Sequence, residues 1–124
     1  MPRREEGSPF GDLWLLQVRI GEGELLAQGD FAWPEWSPDG ESIAYVTAGD
    51  GEPVVGVLHL ASGEHTDLTP GNFPRWSPDG ASLLLTRDNS ILTVDLDDRE
   101  EHVITEGCCA SIAADGRLIL GRDF

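Results

Sequence analysis

Two serines occupy the most distinctive settings in the chain, Trp36-Ser37-Pro38-Asp39-Gly40 and Trp76-Ser77-Pro78-Asp79-Gly80, each with an acid two residues on. A hydroxyl near a carboxylate is raw material for nucleophilic catalysis. That chemistry also needs a base to take the proton and a sharp turn that exposes the oxygen. Both serines precede proline, and Gly-x-Ser-x-Gly occurs nowhere. Ser at i, Pro at i+1 and Gly at i+3 instead make a type I β-turn. Ser37, Pro38, Asp39, Gly40, Ser77, Pro78, Asp79 and Gly80 are therefore expected to be turn residues, and no residue is expected to be catalytic. Gly40 and Gly80 are expected to be left-handed, so that the turn closes a hairpin with a bulge.

Metal chemistry has equally thin material. His59, His65 and His102 are the only histidines. His59 and His65 flank one hairpin turn, with no third ligand evident. Asp95, Asp97 and Asp98 lack the Gly and Glu placement of a calcium loop and read as a solvated acidic turn. Cys108 and Cys109 are adjacent, and on a strand adjacent side chains face opposite ways. Small core residues are expected there, with a vicinal disulfide as the rarer alternative. Neither a metal nor a cofactor is expected.

Composition narrows the partners. The 124 residues carry 23 Asp and Glu against 8 basic residues, a net charge of −15, and every basic residue is Arg. Such a surface repels phosphate backbones and anionic lipid, so neither nucleic acid nor a membrane is an expected partner. The acidity fits either adaptation to salt or base composition, or steering toward a basic partner. No apolar stretch follows Arg3-Arg4, and no apolar run is long enough to span a bilayer. The expected location is the cytoplasm, or the periplasm if the chain is a piece of a longer exported protein.

The elements that must hold these residues are strands. The two five-residue motifs lie 40 residues apart, and a weaker copy, Ile112-Ala113-Ala114-Asp115-Gly116, follows 36 residues later. That period suits stacked all-β units. Residues 1–11 read as a loose lead-in and 12–124 as one repeat domain, its units marked by 36–40, 76–80 and 112–116. Extended runs at 31–36 and 72–76 precede the turns, and apolar runs at 42–48 and 82–86 follow them. Ile43-Ala44-Tyr45-Val46 is apolar on both faces, as in a strand buried between sheets. Each unit holds four strands. The chain supplies the last two of one unit, two complete units, and the first two of another, twelve strands in all.

The runs Pro34-x-Trp36-Ser37-Pro38-Asp39-Gly40-x-x-Ile43-Ala44-Tyr45 and Pro74-x-Trp76-Ser77-Pro78-Asp79-Gly80-x-x-Leu83 resemble the repeat of TolB-type, WD-like β-propellers. The same repeat occurs in the propellers of prolyl-oligopeptidase-type serine peptidases. Gly63-Glu64, Leu68-Thr69, Gly23-Glu24 and Ile104-Thr105 fit its later strands. The third copy departs, with Ala110 for Pro, Ile112 for Trp and Ala113-Ala114 for Ser-Pro, while Asp115 and Gly116 remain. The chain is also about half the length of a six-bladed ring in this family.

The resemblance implies an all-β partial propeller of about three blade equivalents. It also implies a function: a non-catalytic module that binds another protein or assembles with itself. The alternative is the remnant or gating propeller of a serine hydrolase lacking its catalytic domain. Loops gathered at one end of a propeller point to Asp50, Arg87, Asp88 and Asn89 as binding residues. Trp33 and Phe73, at equivalent positions, are expected in the core. Three blades cannot close a ring, which leaves two readings: the chain is a fragment of a longer propeller, or two copies form a six-bladed homodimer, with salt easing their mutual repulsion.

Overall fold

The computed structural model describes residues 10–17, 19–48 and 51–121. Among them are eleven strands and no helix: β1 (Gly11–Leu16), β2 (Gly23–Trp36), β3 (Ser42–Thr47), β4 (Val54–His59), β5 (His65–Pro70), β6 (Asn72–Trp76), β7 (Ser82–Arg87), β8 (Ser90–Asp95), β9 (Glu101–Glu106), β10 (Cys108–Ile112) and β11 (Leu118–Gly121). They form antiparallel sheets in the orders β1-β2-β3-β4-β5, β6-β7-β8-β9 and β10-β11.

The expected strands at 24–28 and 31–36 run together as β2, and each half serves a different blade. Leu25 and Ala27 pair with Trp14 and Leu13 of β1, whereas Ala32 and Trp36 pair with Val46 and Ile43 of β3. No proline interrupts this crossing, and the Gly29 N–H is held by the Asp12 carboxylate at 2.9 Å. At the next crossing Pro70 ends β5 and the chain restarts at Asn72. The blade content is otherwise the expected one. A half-blade of β1 and the start of β2 is followed by two full blades and by the half-blade β10-β11.

Apolar faces between successive blades hold the arc together. Leu13, Phe31, Tyr45 and Leu58 join the first half-blade to the first full blade. Ala44, Val46, Val55 and Val57 pack on Trp76, Leu83, Leu85, Leu92 and Val94 of the next. Leu84 and Ile91 meet Ala110, with Leu118 and Leu120 beside them. Middle strands buried on both faces explain the unbroken apolar runs in the sequence.

The repeated turns form as their residues dictate. In the first, the Gly40 N–H donates to the Ser37 carbonyl at 2.9 Å, and Gly40 has φ +73°. The Ser37 hydroxyl donates to Asp39 Oδ1 at 2.6 Å, and that carboxylate also accepts the Glu41 N–H. Ser77, Asp79 and Gly80 repeat the pattern, with Gly80 at φ +74°. These bonds hold the Asp39 and Asp79 carboxyls below their usual range, the serine hydroxyl being the larger cause. In the third copy the Gly116 N–H still donates to the Ala113 carbonyl, and Asp115 accepts the Arg117 N–H. That turn therefore survives the loss of Ser and Pro.

Candidate functional site

The innermost strands of the three successive blades, the second half of β2, then β6 and β10, carry the same irregularity. Pairing slips between Ala32 and Glu35, between Asn72 and Arg75, and between Cys108 and Ser111. Inside each slip one residue has positive φ: Trp33 at 54°, Phe73 at 53° and Cys109 at 62°. These are β-bulges, which bend a strand and re-aim its side chains. A non-glycine residue held this way costs about 1–3 kcal/mol. Three copies at one repeat position make the bulge a fixed feature of the inner edge.

The bulge corrects the core assignment of Trp33 and Phe73. Trp33 is exposed and Phe73 half-buried, and their rings pair at 5.6 Å with a 52° tilt. Turned out of the strand plane, they meet each other rather than the core between the blades. One tier along, Glu35 and Arg75 form an ion pair between equivalent positions of neighbouring blades. The Trp76 indole N–H donates to the Glu35 carbonyl at 2.9 Å. Ser111 takes the corresponding place in β10. Glu35, Arg75, Ser111 and Ile112, with Pro38 and Pro78 from the turns, line an open groove of about 580 Å³. It combines apolar walls, one ion pair and backbone groups. Opposite charges at the x of Pro-x-Trp were the available sequence signal for Glu35 and Arg75.

Three of the four loop residues singled out from sequence, Arg87, Asp88 and Asn89, lie together at one hairpin end. Asp50 lies outside the described residues. Asp88 and Asn89 both have positive φ, 50° and 61°, and form the two-residue turn between Arg87 and Ser90. Arg87 is built into a clamp between the full blades. Its Nε donates to the Pro70 carbonyl at 2.8 Å, and its two terminal nitrogens bond both Glu101 oxygens at 2.9 Å. The Thr69 hydroxyl accepts from Arg87 at 2.7 Å and donates to Glu101 at 2.6 Å.

The Arg87 guanidinium, then the Thr69 hydroxyl, pull the Glu101 carboxyl down to about 2. A depressed carboxyl stabilises the fold above its unfolded pKa, and that stabilisation is lost as pH falls through the folded value. Urea unfolding is thus expected to show a loss beginning near pH 4.5 and continuing toward pH 2. Glu101→Gln should remove about 1 kcal/mol of it, the solvent-screened value for a partly exposed bidentate pair. An unaltered acid profile in that variant would show the clamp to be energetically idle.

Other candidates resolve locally. His59 Nδ1 lies 3.1 Å from the Ser42 hydroxyl, and His65 packs edge-on to Phe31 with ring centres 5.7 Å apart. Asp95, Glu100 and His102 bring ligand atoms within 4.8 Å of one another on an open, charged turn. Cys108 and Cys109 are joined as a vicinal disulfide, with Cys109 exposed, instead of filling the core separately. The left-handed bulge turns both sulfurs to the same side, which a regular strand would not.

No family model matches the chain. Solved structures do. TolB from Acinetobacter baumannii superposes with a TM-score of 0.77 at 21% identity, over 86% of this chain and 31% of that one. A TolB-type protein from Agrobacterium tumefaciens gives 0.79 at 24% identity, over 86% of this chain and 44% of the other. A prolyl endopeptidase gives 0.64 at 16% identity, over 94% of this chain and 23% of its own. The chain thus spans less than half the length of each. Its fold is that of an arc of a TolB-type β-propeller, shared with the propellers of prolyl-oligopeptidase-type peptidases.

Proposed function

We propose that the chain is a non-catalytic, TolB-like propeller module that works by protein–protein contact, with a partner protein or with itself. The observation that carries this reading is the inner edge. A left-handed bulge recurs there at three repeat positions, carrying Trp33, Phe73 and Cys109, and beside it are one ion pair and one open groove against which a polypeptide can lie. The serines of the repeat point the same way. Each hydroxyl donates to the carboxylate of its own turn at 2.6 Å and accepts an N–H of the following strand, Ser42 or Ser82. The carboxylate each hydroxyl meets is held below its usual range and is a weak base, and no histidine stands beside either serine among the hydrogen bonds of the turn.

The acidic surface favours a protein partner with a basic face over nucleic acid or anionic lipid. No helix among the described residues is long and apolar enough to cross a membrane. A cytoplasmic address suits the module, and a periplasmic one suits it equally as part of a longer exported protein. The peptidase-propeller reading rests on shared fold alone and needs a catalytic domain elsewhere. The test is a fluorophosphonate probe on the purified chain. No serine is expected to label, and labelling of any serine would overturn the non-catalytic reading.

A further inference from the structure

The repeat allows each residue at the ends of the arc to be compared with its own counterparts inside. Trp36 is 51% exposed, while Trp76 is 8% exposed. The reason is visible: Trp76, in β6, packs against β2, the inner strand of the preceding blade, and bonds the Glu35 carbonyl, whereas among the described residues only the outer half-blade of β1 and the start of β2 precedes Trp36. Leu16 is 56% exposed, but its counterparts Leu58 and Val94 are each at 1%. At the other end Ile119 is 76% exposed, against 3% for Leu84. The exposed apolar residues at the two ends therefore occupy positions that complete blades bury.

The two ends are also complementary. One is the outer half of a blade, β1 with the start of β2, and the other is the inner half, β10-β11. Each presents a strand, β1 or β11, that is paired on one edge only among the described residues. Both ends expose large apolar side chains, Trp14, Leu16 and Leu25 at one and Ile119 at the other. We propose that these faces bind each other between two copies of this chain, each shared blade taking its inner hairpin from one copy and its outer hairpin from the other. This rests on the interaction-module reading and names the partner. The arrangement is a two-fold, isologous one. It joins two arcs of three blade equivalents into a closed ring of six, within the usual range for propellers.

The repeat also fixes the register. The turn from Gln17 to Glu22 has the same two backbone bonds as His59 to Glu64 and Asp95 to Glu100, which aligns Leu15 with Val57 and Thr93. Ile112 pairs with Leu118 as Trp36 does with Ile43 and Trp76 with Leu83, which aligns Ile119 with Ala44 and Leu84. Ala44 pairs with Val57, and Leu84 with Thr93. Ile119 of one copy therefore lies opposite Leu15 of the other, and the Trp36 indole N–H meets the Ser111 carbonyl as Trp76 meets that of Glu35.

Light scattering on the whole chain, in about 0.3 M salt to screen its charge, is expected to give twice the 13.4 kDa chain mass. Ile119→Asp and Leu15→Arg, made singly, should each raise the dimer dissociation constant at least about a hundredfold, because each leaves an unpaired charge in both contacts. Combined in one chain, the two substitutions face each other as an ion pair and should recover at least about tenfold of that loss. A variant that merely misfolds would not be rescued by a second charge. A cooperatively melting monomer of the unaltered chain would overturn the inference, and so would a dimer indifferent to both single substitutions. Neither result would bear on serine labelling, so the non-catalytic reading stands or falls separately.

Discussion

Gly56→Val is expected to lower stability by about 3 kcal/mol or more, and Gly56→Ala by most of that. Gly56 lies in β4 between Tyr45 of β3 and Asp67 of β5, paired with both. The Tyr45 side chain crosses over it, fully buried, to donate its hydroxyl to Asp67 at 2.9 Å. Burial, then that bond, pushes the phenol above its ordinary range. A Cβ on Gly56 would collide with the Tyr45 ring and hydroxyl and come within 2.6 Å of the Thr66 carbonyl. The backbone cannot yield, and the ring can yield only by giving up Asp67 and its packing on Phe31, 4.9 Å away. Overpacking costs about 1–3 kcal/mol, and a buried hydroxyl without its partner about 1–3 more. Urea denaturation measures the sum. A double-mutant cycle with Tyr45→Ala should show strong coupling, because removing the ring restores the space. A Gly56→Ala chain within about 0.5 kcal/mol of the parent would mean that the ring does not cross there.

The sequence carried the blade plan because its signals were local. Ser37-Pro38-Asp39-Gly40 has the residues a type I turn with a left-handed exit requires, and a second identical copy fixed the period. Ile43 to Val46 revealed burial on both faces without any knowledge of the neighbours. What stayed hidden depends on partners distant in sequence. Nothing about Gly56 alone says that a tyrosine two strands from Asp67 needs its missing side chain. Arg87 resembled a free loop cation because Thr69, Pro70 and Glu101 come from other strands. The equivalence of Trp33 and Phe73 was legible, but their direction was not. A bulge reverses which face a side chain takes, and its left-handed residue was a Trp, a Phe and a Cys rather than a telltale glycine. Arg99 hid a repeat in the same way. It stands at φ +64° where the matching turns have Gly21 at 72° and Gly63 at 73°.

Trp36 and Trp76, identical in motif, are expected to differ widely when truncated. Trp76→Ala should cost about 3–5 kcal/mol, the range for a buried large aromatic. It removes a side chain packed among Leu83, Leu85 and Val94 and leaves the Glu35 carbonyl without its indole donor. Trp76→Phe should fall between, since the ring keeps most of the packing and loses a bond worth about 1 kcal/mol. Trp36→Ala, measured at high dilution, should stay within about 1 kcal/mol, because half the side chain is already in water and no inner strand among the described residues lies behind it. The contrast tests whether the blade before a motif Trp, rather than the motif, sets its energetic weight. Equal losses at the two sites under dilution would refute that. Concentration supplies the second axis. If Ser111 of another copy takes the place that Glu35 has beside Trp76, the cost of Trp36→Ala should climb toward that of Trp76→Ala as chains pair. Stability linked to association depends on protomer concentration, so the gap between the variants should narrow from nanomolar to micromolar chain.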